Sequence, residues 1–308
     1  MTITVVIPLY NKAQTIERAL RSVQEQILQP DEVIVVNDGS TDGGADIVSQ
    51  QNLQYLRLVQ QTNQGVASAR NHGIAEAQGE WIALLDADDE WKPEFLLSMQ
   101  QLHHSYPDCN LLASAYDRID LQGNQRTAHI RGLNSSAPTL RMDHYFDVAA
   151  HSEPPICSSA VMMKRETILS VGGFPEHIAQ GEDLLTWAKI ALSTAVAYCQ
   201  LSLSVFHVDD LVTTGTPKRR PTDADPVGAE LEDLARANPE QQGIQDYVAL
   251  WHKMRANMFL RVPKQRRACY SELRKARLWN PHLSLPTYHL LLMLPYTLRM
   301  RLITLLQR

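Results

Sequence analysis

Residues 80–95, EWIALLDADDEWKPEF, run from an apolar strand through a cluster of carboxylates to a proline. The stretch EWIALLD has the length of a strand inside a covered sheet, and Asp86, Asp88, Asp89 and Glu90 crowd its carboxyl end. Pro93 suits the first turn of a helix whose inner face carries Phe95, Leu96, Met99 and Leu102. Strand, polar turn and helix together make one unit of an α/β fold. Four neighbouring carboxylates repel one another, so they need either water or a cation.

The same unit recurs upstream. TITVVIPLY is apolar and β-rich, and the helix after it places Ile16, Ala19, Leu20, Val23 and Ile27 on one stripe before Pro30. DEVIVVNDGS is a second buried strand broken at Asp-Gly, followed by a short helix around Ala45–Gln51. YLRLV is a third strand, with the helix GVASARNHGIAEA behind it. Such repeats imply a mostly parallel, Rossmann-like sheet flanked by helices, which binds ligands beyond the carboxyl ends of its strands. PLYNK, NDGSTD and DADDE all fall at those ends and are expected to line one crevice.

Further along, LLASAY and YDRID read as strands, 131–139 as a loop, VGGF as a helix stop and turn, and GEDLLTWAKIAL as a helix. TAVAYCQLSLSVFHV reads as one or two strands ending at His207. Residues 209–245 are polar, with Pro and Gly, and read as a flexible loop and linker. The expected division is an α/β domain over 1–208, this linker, and a basic, partly amphipathic helical region over 246–308.

At 308 residues, 44% apolar and 20% charged, the chain has an ordinary globular composition and room for one large domain plus an appendage. Cys109, Cys157, Cys199 and Cys269 form no CxxC pair, which argues against a zinc site or a disulfide framework and fits a reducing, cytoplasmic setting. The first residues have no basic leader or cleavage pattern, and Pro281, Pro286 and Pro295 interrupt the apolar run 278–298. Neither a signal peptide nor a membrane-spanning helix is therefore expected.

The net charge of −5 hides an asymmetry: residues 251–308 hold 12 Lys or Arg and a single acid, Glu272, for +11, while the rest of the chain sums to −16. That basic region fits an interfacial element held by anionic lipids at about 1 kcal/mol per basic group. It fits equally a helical subdomain packed on the larger domain.

Asp86 and Asp88 offer hard oxygen ligands, and their spacing of two puts both on one side of an extended strand end. Mg²⁺ or Mn²⁺ commonly takes one or two protein carboxylates and completes its shell with phosphate oxygens and water. The plainer alternative is a solvated turn in which Asp89 or Glu90 favours the next helix. An EF-hand fails, because Trp91 stands where its loop needs Gly and Leu97 where it needs an acid. No P-loop and no GxGxxG follows the first strand, where PLYNKAQT stands. An aspartyl phosphatase would need a companion set of Thr, Lys and a second acidic pair, for which no ready candidates are found.

In order, VVIPLYN, DEVIVVNDGSTDG and NQGVASARNHGIAEAQGEWIALLDADD resemble the family 2 glycosyltransferases of the GT-A fold across nearly the whole first hundred residues. The later VGGFPEHIAQGEDLLTWAKIA resembles that family's acceptor-side segment with its Glu-Asp motif. The resemblance extends to about His207 and implies a GT-A α/β domain with the basic helical region as a C-terminal extension.

Carried onto these positions, it implies that Pro8, Leu9 and Tyr10 wall the nucleotide base, that Asp38 hydrogen-bonds the base or ribose, and that Arg70 belongs to the nucleoside pocket. Asp86 would face the ribose or the metal, with Ala87 in the same donor-binding turn. Asp88 would hold the Mn²⁺ or Mg²⁺ that bridges the diphosphate, and His207 would add another metal or diphosphate contact. Asp183 would be the catalytic base, with Glu182 orienting the site. A positioned carboxylate taking the acceptor's proton is worth about 10²- to 10⁴-fold. Each residue also has a bland role: packing for Tyr10, turn formation for Asp38, a surface charge for Arg70, a core hydrogen bond for His207, and helix-dipole complement for Glu182 and Asp183.

The implied reaction moves a sugar, with inversion, from a nucleotide-diphosphate donor (a UDP-sugar) to a hydroxyl of a saccharide or lipid-linked acceptor, in surface polysaccharide or glycolipid synthesis. Location would be cytoplasmic, with peripheral contact at the inner face of the membrane, and no nucleic acid is expected as a partner. A sugar-phosphate nucleotidyltransferase would open with a Gly-rich loop, and PLYNKAQT has no Gly. A non-catalytic nucleotide-sugar-binding protein is opposed by two intact acidic motifs. Acceptor contacts are expected from 130–160 and 209–225.

Overall fold

The computed structural model describes every residue except 52, 134–136, 209–220 and 307–308. The chain divides into two compact units, Met1–His207 and Val208–Arg308.

The first unit opens with β1 (Ile3–Leu9), α1 (Ile16–Gln24), β2 (Glu32–Asp38), α2 (Gly44–Ser49), β3 (Leu56–Gln61), α3 (Val66–Glu76) and β4 (Trp81–Leu84). Every residue of β1 and β4 is buried, as expected of strands covered on both faces. Pro8 is tolerated in β1 because pairing with β4 ends at Val6, so on that side Pro8 has no strand to which it must donate.

The turn that carries Asp86, Asp88 and Asp89 then leads into a short strand, β5 (Glu90–Trp91), which precedes α4 (Phe95–Ser105). The chain continues through β6 (Leu111–Ile119), β7 (Gln125–Thr127), β8 (Thr139–Met142), α5 (Tyr145–His151), a 3-10 turn at Ser158–Ala160, β9 (Val161–Lys164), α6 (Arg165–Ser170), α7 (Glu182–Ala191) and β10 (Val196–His207). Strand order is β3-β2-β1-β4-β9-β6-β10-β5, with β7 on β6 and β8 on β10. Parallel pairing holds from β3 to β4 and returns between β6 and β10. Beyond β4 the sheet is mixed, because β9 runs antiparallel to both β4 and β6.

Several boundaries differ from the sequence reading for identifiable reasons. Helix α1 stops at Gln24, and Ile27 is 61% exposed, off the stripe. There the Ile27 amide donates to Pro93 O at 2.9 Å and Gln26 Nε2 to Lys92 O at 2.8 Å, so the chain leaves the helix to pair with the segment before α4. Pro93 accordingly precedes Glu94, the N-cap of α4, and is not in the first turn. LLASAY and YDRID form one strand, β6, and β10 is one long strand with register shifts between Cys199 and Ser204.

The second unit is helical: α8 (Pro226–Ala237), α9 (Ile244–Leu260), α10 (Arg266–Trp279), α11 (Pro286–Met293) and α12 (Tyr296–Leu306). Helix α8 lies inside the stretch 209–245 read as flexible loop, so that reading is corrected over 226–237. Asp225 Oδ1 accepts from the Gly228 amide at 2.9 Å, Pro226 takes a first-turn position, and Val227, Leu231 and Ala235 are buried at helical spacing. The unit has its own apolar core, which includes Phe259, Leu273, Leu285 and Leu292. One polar cluster centres on His252, fully buried, with Nδ1 2.8 Å from Glu272 and Nε2 3.1 Å from Glu232. Among the described residues no helix is long and apolar enough to cross a membrane.

Candidate active site

Parallel register sets the ends of β1, β2, β3 and β4 along one edge of the sheet, with Leu9 opposite Asn37 and Asp38 opposite Gln61. PLYNK, NDGSTD and DADDE meet there, as expected. Pro8 and Leu9 are buried in β1, whereas Tyr10, the first residue past it, is 49% exposed and free to offer its ring face. Asn11 next to it has φ +51°, a left-handed conformation that Asn tolerates better than most residues. That turn lets its amide donate to Ser40 Oγ at 3.1 Å and its Oδ1 accept from the Thr41 amide at 2.8 Å, tying the first two loops together.

Asp38 is 2% exposed and already engaged. Oδ1 accepts from Gln61 Nε2 and the Gln64 amide, both at 2.8 Å, and Oδ2 from the Gly65 amide at 2.9 Å. Its visible work is to fix the loop before α3, and one lone pair on Oδ2 remains for a ligand.

The acid turn is built around Ser159. Its hydroxyl accepts from the Asp86 amide at 3.1 Å and donates to Asp89, and its carbonyl accepts from Trp91 Nε1 at 2.7 Å. Asp89 is buried; burial, then the negative charges of Asp86 and Asp88, push its pKa well above the carboxylate range. The His207 amide donates to Asp89 at 2.9 Å, and His207 Nε2 sits 2.9 Å from Glu90. Ala87 is buried between the outward-facing aspartates.

Asp86 and Asp88, by contrast, are part-exposed and each has a protein cation. Arg70 Nη2 donates to Asp86 Oδ1 at 2.8 Å, and Lys12 Nζ donates to Asp88 Oδ2. Arg18 also donates to the Asp88 carbonyl. Asp86 Oδ2 and Asp88 Oδ1 keep no hydrogen-bond donor among the described residues. These two hard oxygens at an open strand end suit Mg²⁺ or Mn²⁺, so the donor set fits such an ion. Among the described residues Asp86, Asp88 and His207 do not close into a three-ligand group within 4.8 Å. His207 is instead turned to Glu90.

Arg70 is the hub. It is 3% exposed, its Nη1 lies 3.4 Å from Glu182, and its guanidinium stands 5.2 Å over the Phe174 ring. Burial pulls its pKa down, but Asp86 and then Glu182 outweigh burial and hold it above the ordinary arginine value. Phe174 is set by Asn71, whose Nδ2 donates to the Phe174 carbonyl and whose Oδ1 accepts from the Phe174 amide, both at 2.8 Å. Gly173 is required beside it: φ is +73°, and a Cβ would fall 2.6 Å from Asn71 Oδ1. The VGGF turn thereby delivers α7 to the crevice.

Glu182 and Asp183 begin α7 after Gly181, which has φ +83°. Burial raises the pKa of both; the Asp183 charge raises Glu182 further, while Arg70 opposes each shift. Asp183 is only partly buried, so its carboxylate can reach a ligand. Sequence reasoning gave no role to Lys12, Arg18 or Ser159. Lys12 stands three residues beyond a strand end, but its partner Asp88 is 76 residues away, and Ser159 is 70 residues from Asp89, so neither pairing carried a local signal.

The family described as Glycosyl transferase family 2 matches residues 4–169. The chain belongs to glycosyltransferase family 2. An uncharacterised glycosyltransferase of Nostoc sp. is 34% identical over 146 residues, covering 46% of this chain and 44% of the relative. The amylovoran biosynthesis glycosyltransferase AmsE of Erwinia amylovora is 27% identical over 61% of this chain and 68% of its own. This family 2 chain therefore spans less than half the length of the Nostoc relative. Among solved structures, S. aureus TarS 1–349 in complex with UDP-GlcNAc aligns with TM-score 0.60 at 19% identity, over 91% of this chain and 88% of that one. That likeness shows the GT-A fold.

Proposed function

We propose that this family 2 chain transfers a sugar from a nucleotide diphosphate, a UDP-sugar, to an acceptor hydroxyl in one in-line displacement with inversion. The observation that carries it is the buried Arg70, which joins Asp86 of the donor turn to Glu182 beside Asp183. Two acidic motifs nearly a hundred residues apart thus share one cation and face one crevice. The UDP and UDP-GlcNAc complexes of TarS support a uridine donor.

Tyr10 and the loop held by Asp38 border the base. Asp86 and Asp88 would hold Mn²⁺ or Mg²⁺, which when bound neutralises charge on the departing diphosphate. Arg70 supplies fixed positive charge at the same place. Asp183, ionised, accepts the hydroxyl proton as the acceptor attacks, and Glu182 sets the start of α7 through Arg70. Holding donor and acceptor in register supplies the rest.

The acceptor we propose is a saccharide or lipid-linked saccharide in surface polysaccharide or glycolipid synthesis, with the +11 region in contact with the anionic inner face of the membrane. AmsE, an amylovoran biosynthesis glycosyltransferase by its name, supports a biosynthetic setting. Of the segments expected to contact the acceptor, 134–136 and 209–220 lie outside the described residues.

A thermal-shift screen of nucleotide sugars with Mn²⁺ tests the donor reading, because a ligand that binds only the folded state raises apparent stability. A UDP-sugar should shift the transition and be consumed when saccharide acceptors are added. No shift with any nucleotide sugar would overturn it.

A further inference from the structure

The helical unit contains a cavity of about 550 Å³ lined by Lys264, Arg266, Arg267, Tyr296 and Arg299. Among the described residues four cations and no carboxylate line it. Lys264, Arg266 and Arg267 are exposed at the start of α10, whose first turn holds no acid. Basic groups at a helix N-terminus oppose the helix dipole, so fold stability gives no reason for them.

The second observation is independent. Arg299 is 2% exposed, yet its Nε and Nη1 have no hydrogen-bond partner among the described residues. A buried, unsatisfied guanidinium is costly unless something fills its donors. Its guanidinium stands 5.4 Å over the Tyr296 ring, which fixes its direction. Burial, then the Arg266 charge, hold the Arg299 pKa below the ordinary arginine value, which an arriving anion would reverse. Tyr296 is itself pinned by a 3.2 Å bond from its hydroxyl to Arg261 O, and Arg266 by a 2.6 Å bond to Leu294 O. Exposed Met293 and Leu298, at 74% and 46%, flank the Leu294–Tyr296 turn and would lie in an apolar phase beside a bound headgroup.

We propose that this pocket is an anion site for a phosphate-bearing group, the headgroup phosphate of an anionic phospholipid or a soluble phosphate or pyrophosphate. Planar guanidinium forks and ammonium groups without competing acids are the chemistry that recognises phosphate. The inference sharpens the membrane contact proposed above into one pocket, and it does not depend on the transfer reaction.

The test uses the full chain saturated with UDP, so that the donor crevice is filled. Flotation with phosphatidylcholine vesicles, with and without phosphatidylglycerol, reads the lipid source; titration with inorganic phosphate and pyrophosphate reads the soluble one. At least one probe should bind, and Lys264→Gln with Arg267→Gln should weaken it at least tenfold while leaving melting and UDP binding unchanged. Arg299→Lys, which keeps the charge and loses the fork, should weaken it less. Binding to phosphatidylglycerol vesicles assigns the lipid, and binding of soluble phosphate alone assigns the free anion. Binding of neither probe, or vesicle binding indifferent to these substitutions, would overturn the pocket; the latter result would leave membrane contact to diffuse charge.

Discussion

Arg70 and Asp86 lie 2.8 Å apart, with the other arm of the same guanidinium 3.4 Å from Glu182. One buried cation thus couples the acid turn after β4 to the helix that carries the proposed base. Arg70→Met should be severe, because it leaves Glu182 buried without its cation. Removing one partner of such a group costs about 3–5 kcal/mol, to be read by urea unfolding. A loss below about 1 kcal/mol would mean that the two acids find other partners.

Asp88 should govern the response to a divalent ion. Chelation, or Asp88→Ala, is expected to abolish transfer and Mn²⁺-dependent UDP binding. Lys12 occupies one oxygen of Asp88, so it would compete with a divalent ion for that carboxylate. Lys12→Met should lower the Mn²⁺ concentration needed for half-maximal UDP binding, measured by calorimetry. A rise would assign Lys12 to the diphosphate.

Asp183→Asn should keep UDP binding and lose about 10²- to 10⁴-fold in transfer rate. Burial holds Asp183 above the usual aspartate pKa of about 3.9 despite Arg70. A base works only when ionised, so transfer should fall as pH drops through that raised value, and the acid limb should sit higher than for a solvated aspartate. Full activity of the Asn variant would remove Asp183 from this role.

The helical unit should be acid-labile through Glu272. Burial raises its pKa, but the hydrogen bond to His252 and the charges of Arg255 and Lys275 outweigh burial and hold it below the ordinary value. A depressed carboxylate contributes stability above its unfolded pKa of about 4.3, and that contribution is lost as pH falls through the folded value. Glu272→Gln should cost about 1–3 kcal/mol at neutral pH and flatten the acid transition, followed by circular dichroism.

Strands β1, β2 and β4 could be read directly, since a run such as ITVVIPL has no good alternative to a doubly covered strand. Helix α8 was read as loop although Asp225, Pro226 and the spacing of Val227, Leu231 and Ala235 are local helix signals, because the polar residues around them outweighed those signals. The end of α1 carried no such local signal. Ile27 continues the stripe perfectly well, and what stops the helix is a hydrogen bond to Pro93.

The repeating α/β units, the family and the positions of both acidic motifs can be read from the amino-acid order, because apolar period and strand-end chemistry are local properties of the chain. Tertiary structure alone decided which cations meet which acids: Lys12 on Asp88, Arg70 between Asp86 and Glu182, Ser159 under the acid turn. It alone also placed an unsatisfied Arg299 beside three exposed cations. Electrostatic pairing acts over a few ångströms in space and is indifferent to separation along the chain, so no pattern of neighbouring residues can specify it.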